Sequence, residues 1–181
     1  MHWLFSALVT GAIAFSATNL DDILFLTIFF SQTTRKWKVV IGQYLGFTAL
    51  VLVSLVGFFG GRLLPHEWIR LLGVAPIFLG IKKLFEHRAN VQRSGSNTLS
   101  VAAVTFTNGA DNIGIYGALF AVSDAPTVIV LIGVLYSLLA VWCFIAYRIH
   151  TQQLVSNTLT KYGHWLVPFI LIALGLYILL S

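Results

Sequence analysis

Thr107-Asn108-Gly109-Ala110-Asp111-Asn112-Ile113 sits inside an apolar run. The first apolar run of the chain holds a counterpart, Thr18-Asn19-Leu20-Asp21-Asp22-Ile23. Both read Thr-Asn, a short spacer, Asp, then Asp or Asn, then Ile. A charged Asp near the centre of a hydrocarbon-spanning helix costs about 2.5–3.5 kcal/mol on insertion scales. Asp21, Asp22 and Asp111 together therefore cost roughly 8–10 kcal/mol if they are central and ionised. No Lys or Arg lies near the middle of any apolar run, so an internal ion pair does not offset that cost. Two partners remain, a proton or a cation.

The rest of the chain names the bilayer as its solvent. Apolar residues make up 58% and charged residues 9%, against about 25% charged in soluble domains. A spanning helix needs about 20 mainly apolar residues. Six runs meet or approach that length, at about 4–30, 39–63, 68–85, 99–122, 126–147 and 164–180. The start of the chain carries no Lys or Arg before its apolar run, which continues past Ser16, so the first run is expected to be a retained helix rather than a cleaved signal.

A polar, turn-rich stretch at 86–98 divides the runs into two sets of three. The expected fold is an all-α polytopic membrane protein, with a first three-helix repeat at 1–85, a cytoplasmic linker at 86–98 and a second repeat at 99–181. Three helices per repeat invert the second relative to the first, and inverted-repeat transporters build their sites at the repeat interface near the midplane. Lys and Arg crowd the odd loops: Arg35, Lys36 and Lys38; Lys82, Lys83, Arg88 and Arg93; Arg148 and Lys161. The even loops hold Arg62 and Arg70. The positive-inside bias then puts the odd loops in the cytoplasm and both termini outside, in the cytoplasmic (inner) membrane. Trp3, Trp37, Trp68 and Trp165 suit the interfacial belt.

The net charge of +5 is accounted for by these loop signals. No basic stripe with interleaved aromatics points to nucleic acid. The chain has neither His-Glu-x-x-His nor Gly-x-Ser-x-Gly, and no Walker motif, so no enzymatic activity and no ATP hydrolysis are expected. Cys143 reads as a small core hydrophobe. The five histidines, His2, His66, His87, His150 and His164, fall at predicted helix ends or loops. Homo-oligomerisation is left open.

The motif neighbours favour a cation. Asp21, Asp22 and Asp111 with Asn19, Asn108 and Asn112 offer carboxylate and amide oxygens, which suit hard divalent ions. Thr18, Thr107 and Gln43 are accessory candidates; the competing reading of the threonines is hydrogen-bonded glue between helices. Consecutive Asp21 and Asp22 point about 100° apart on a regular helix, so both can face one ion only where the helix bends or unwinds. Asn108-Gly109 is a breaker-type dipeptide in the matching run.

Asn108-Gly109-Ala110-Asp111-Asn112-Ile113-Gly114, Ile41-Gly42-Gln43-Tyr44-Leu45-Gly46 and Pro76-Ile77-Phe78-Leu79-Gly80-Ile81-Lys82 occur in that family's order, and through them the chain resembles the CadD-like cadmium-resistance transporters of the LysE superfamily. The resemblance implies a secondary transporter exporting Cd²⁺, with Asp21 and Asp111 matching the family's intramembrane acids. The metal is then cargo and no cofactor is implied. Family members can carry cysteine just before Gly-Ala-Asp-Asn; this chain has Asn108 there, which brings Mn²⁺ and Ca²⁺ in beside Cd²⁺. Proton coupling is expected, because carboxylates can exchange an ion for protons. The competing reading is a LysE-like exporter of an amino acid or small cationic metabolite, whose ammonium group the carboxylates would hold.

Overall fold

The computed structural model describes residues 2–63 and 97–150, together with the helical positions 74, 77, 78, 81, 169, 172, 173, 176 and 179. Among the described residues there are six helices and no strand: α1 His2–Asn19, α2 Asp22–Gln32, α3 Lys36–Leu63, α4 Thr98–Asn108, α5 Ala110–Val122 and α6 Ala125–Ile149. Apart from those isolated helical positions, the expected third and sixth spans and most of the linker lie outside the described residues.

Two helices, α3 and α6, are long and apolar enough to cross a membrane. At 1.5 Å per residue they measure about 42 and 37 Å, more than the roughly 30 Å hydrocarbon core. The count rises to three if α1 and α2 cross as one broken span; the two are bent by 59° across their break. The second predicted run, 39–63, is α3, and the fifth, 126–147, is α6. The first predicted run is divided into α1 and α2, and the fourth into α4 and α5. Both divisions fall inside the Thr-Asn motifs.

The local chemistry of each break is legible. Thr18 donates its hydroxyl to Ala14 O at 3.0 Å, and Asn19 Nδ2 donates to Phe15 O at 2.9 Å. Side-chain donors on carbonyls four residues back compete with the helix ladder and bend it. Thr107 repeats the pattern, donating to Ala103 O at 2.8 Å. There the chain stops at Gly109, whose N–H returns to Thr105 O, and α5 restarts with Asn112 N–H on Gly109 O.

Packing between the elements is reciprocal. α3 runs along α4 and α5, while α6 runs along α1 and α2. Each unbroken long helix thus lies against the broken pair from the other end of the chain. α3 comes close through four glycines. A Cβ on Gly42 or Gly46 would lie 2.6 Å from Thr98 O or Ala102 O of α4; on Gly57 or Gly61 it would lie 2.2 or 2.4 Å from Gly117 O or Ala121 O of α5. Two Gly-xxx-Gly pairs on one helix thus permit backbone-to-backbone packing, which holds membrane helices where water supplies no driving force.

The larger core cluster gathers Phe15, Phe47, Leu50, Tyr116, Phe120 and Leu135 from α1, α3, α5 and α6. Rings meet edge to face there: Phe15 with Trp142 at 5.3 Å and Phe47 with Tyr116 at 6.1 Å. Cys143 is buried in a second cluster with Leu26, Phe29 and Phe30, in the small-hydrophobe role that its position in an apolar run suggests.

Candidate functional site

The two breaks face each other, and their polar side chains form two connected groups. The first centres on Asp22, at the start of α2 and only 4% exposed. Asn108 Nδ2, from the end of α4, donates to Asp22 Oδ1 at 2.9 Å. Gln43 Nε2, from α3, donates to Asp22 Oδ2 at 3.1 Å. Gln43 Oε1 in turn accepts from the hydroxyl of Thr105 on α4 at 2.5 Å. One carboxylate therefore joins both broken helices through uncharged amides.

The second group lies one helical turn away. Asn19 Nδ2 donates to Tyr116 Oη at 2.7 Å, and the Thr18 and Tyr116 hydroxyls are 2.8 Å apart. Asn112 Nδ2 donates to Asn19 Oδ1 at 3.1 Å. Asn112 Oδ1 is buried and has no hydrogen-bond partner among the described residues. Asp111, beside it, is 8% exposed, and its Oδ1 accepts from Asn112 N–H at 3.1 Å. Asp111 and Asp21 both lie near enough to Asp22 to act on it electrostatically.

Of the residues expected at the site, Asp22, Asp111, Asn19, Asn108, Asn112, Thr18 and Gln43 are brought into these two groups. Asp21 stands at the break itself, half-buried, and its carbonyl accepts the first N–H bonds of α2 from Leu24 and Phe25. Thr107 is exposed and bonded to its own helix, away from both groups. The carbonyl of Asn19, set loose by the break, accepts the indole N–H of Trp142 on α6 at 2.8 Å. Among the described residues no three His, Cys, Asp or Glu side chains converge as a metal-holding group.

Three participants escaped the sequence reading. Tyr116 follows Asn112 by four residues and Thr105 precedes Asn108 by three, so helical spacing from the motifs places both on the motif face. Trp142 lies on a different helix, and no local signal connects it to Asn19.

The model of the cadmium resistance transporter family matches residues 15–181, which takes in both motifs and nearly the whole chain. The chain belongs to the cadmium resistance transporter family. No curated protein and no solved structure matches it. Membership makes the chain a membrane transporter of metal ions rather than an enzyme, with the metal as substrate rather than resident cofactor. For a cadmium resistance transporter, paired breaks bearing buried carboxylates and amides are a chemically suitable place for a cation to cross, because they provide oxygen ligands where the bilayer offers none.

Proposed function

We propose that the protein is a secondary transporter that exports a divalent cation across the cytoplasmic membrane in exchange for protons, binding the ion between the two helix breaks. The observation that carries this reading is Asp22, a buried carboxylate that accepts from the side-chain amides of Asn108 and Gln43. Asp22 and Asp111 supply the charge. Amide oxygens of Asn108, Asn112 and Gln43 complete the shell, with Asn19 and Thr18 behind them and Asp21 at the entrance of the break.

Asn108 and Gln43 direct their N–H groups at Asp22. With an ion, both amides rotate to present oxygen, and the carboxylate exchanges amide hydrogens for metal. Protons arriving from outside neutralise the carboxylates and release the ion, the reciprocal step of alternating access. Few carboxylates and many neutral oxygens suit a site that must release its cargo. Cd²⁺ fits the family, and Mn²⁺ or Ca²⁺ fit an all-oxygen donor set.

The reciprocal packing of α3 on α4–α5 and α6 on α1–α2, with a threonine back-bonded at each break, supports two inverted repeats within a LysE-type architecture. In that arrangement both termini lie outside.

Thermal unfolding with added ligand tests the cargo class. A ligand that binds only the folded protein raises its melting temperature. One of Cd²⁺, Mn²⁺ or Ca²⁺ is expected to stabilise the protein, and lysine and arginine to leave it unchanged. Stabilisation by an amino acid alone would replace the metal reading with the metabolite-exporter reading.

A further inference from the structure

The side-chain amides between the breaks are not equivalent as ligands. Gln43 commits its oxygen to Thr105 and its nitrogen to Asp22. Asn108 commits its nitrogen to Asp22. Asn19 commits its oxygen to Asn112. Asn112 alone of the four is 1% exposed with a buried oxygen that accepts nothing among the described residues.

A directional chain of hydrogen bonds keeps that oxygen outward. Thr18 has a single hydroxyl proton, and two carbonyls that can only accept, Ala14 O at 3.0 Å and Phe15 O at 3.3 Å, lie within its reach. With that proton on a carbonyl, Tyr116 donates to Thr18 across the 2.8 Å between their hydroxyls. The phenol oxygen is left to accept, and Asn19 Nδ2 donates to it. The same nitrogen also faces Phe15 O, which can only accept, at 2.9 Å and Thr18 Oγ1 at 2.7 Å, so its two hydrogens are shared among three acceptors. Asn19 is thereby held with its oxygen toward Asn112, and Asn112 answers with its nitrogen. The amide of Asn112 is planar, so its oxygen points away from Asn19. A fixed polarity runs from the α1 carbonyls through Thr18, Tyr116 and Asn19 to Asn112.

We infer that Tyr116 is a positioning residue for cation binding, fixing through Asn19 which end of the Asn112 amide faces the ion. This rests on the proposed site between the breaks. Tyr116 itself does not touch the cargo. Its ring is fully buried against Phe47 and stacked on Phe120 at 6.4 Å, so Tyr116→Phe keeps the packing and deletes only the link. Preorganised ligands bind more tightly because the free protein has already lost their rotational freedom.

The experiment titrates purified full-length protein with CdCl₂, MnCl₂ and CaCl₂ and reads the apparent Kd from thermal stabilisation. For the ion that stabilises the wild type best, Tyr116→Phe is expected to weaken binding about five- to tenfold, the worth of one hydrogen bond. The melting temperature without metal should stay within a few degrees of wild type. In the Asn112→Asp background either rotation presents oxygen, so adding Tyr116→Phe should change Kd by less than about twofold. An unchanged Kd in Tyr116→Phe would overturn the inference. So would loss of the metal-free fold, an undiminished effect in the Asn112→Asp background, or an Asn112→Asp protein that binds no ion. A wild type that responds to none of the three metals would instead remove the cation site itself.

Discussion

Asp22 touches three helices: its own α2, α3 through Gln43, and α4 through Asn108. Replacing it with Asn preserves shape but removes the charge, and one end of the new amide must then put N–H against N–H. Asp22→Asn is expected to weaken metal-dependent stabilisation by about a hundredfold in Kd, equivalent to roughly 3 kcal/mol; a Kd within threefold of wild type would show that Asp22 is not a ligand. Asp124 has a different role. It caps α6 outside the spans, and hydrogen bonding from the Thr127 side chain, then from the Thr127 backbone N–H, holds its carboxyl below the usual carboxylate range. A carboxylate with a lowered folded-state pKa stabilises above its unfolded value and loses that contribution as pH falls through the folded one. The melting-temperature difference between wild type and Asp124→Asn should therefore be present at pH 7 and close only below about pH 4. Much of this scale was legible in advance. An Asp in an apolar run signals function, and the two motifs supplied most side chains of the two groups, whereas Gln43 came from another run and Thr105 and Tyr116 went unread. The sequence set Asp21 beside Asp111 and left open whether Asp22 turns inward; that Asp22 is the buried one depends on the 59° bend and on a glutamine from another helix.

Among the elements, the breaks define the site and α3 holds it together. The sequence showed Gly109 as a breaker, but the first motif contains neither glycine nor proline. There the bend comes from Thr18 and Asn19 bonding back to their own helix, with Trp142 satisfying the freed carbonyl, and the last of these is a tertiary contact that no local pattern announces. The glycines of α3 were visible as composition, but their purpose appears only against α4 and α5. A Cβ on Gly57 would stand 2.2 Å from Gly117 O, a backbone atom that cannot step aside, whereas a Cβ on Gly60 meets nothing within 4 Å among the described residues. Gly57→Ala is expected to cost about 1–3 kcal/mol through overpacking, and Gly60→Ala to stay within about 0.5 kcal/mol. Equal melting temperatures for the two variants would contradict the close approach of α3 and α5.

In the whole molecule, each broken helix pair leans on the long helix from the other end of the chain. Movement of one pair with its supporting helix against the other would open the Asp22–Asn108 and Asn19–Asn112 contacts first, since these cross the interface between the breaks. The central claim is that buried carboxylates carry the ion, and the most direct test is metal flux into proteoliposomes under an imposed pH gradient, comparing Cd²⁺, Mn²⁺ and Ca²⁺ for wild type and Asp111→Asn. The account predicts saturable, pH-driven flux of at least one ion that disappears in Asp111→Asn. Undiminished flux in that variant, or none of any ion from folded wild-type protein, would contradict it.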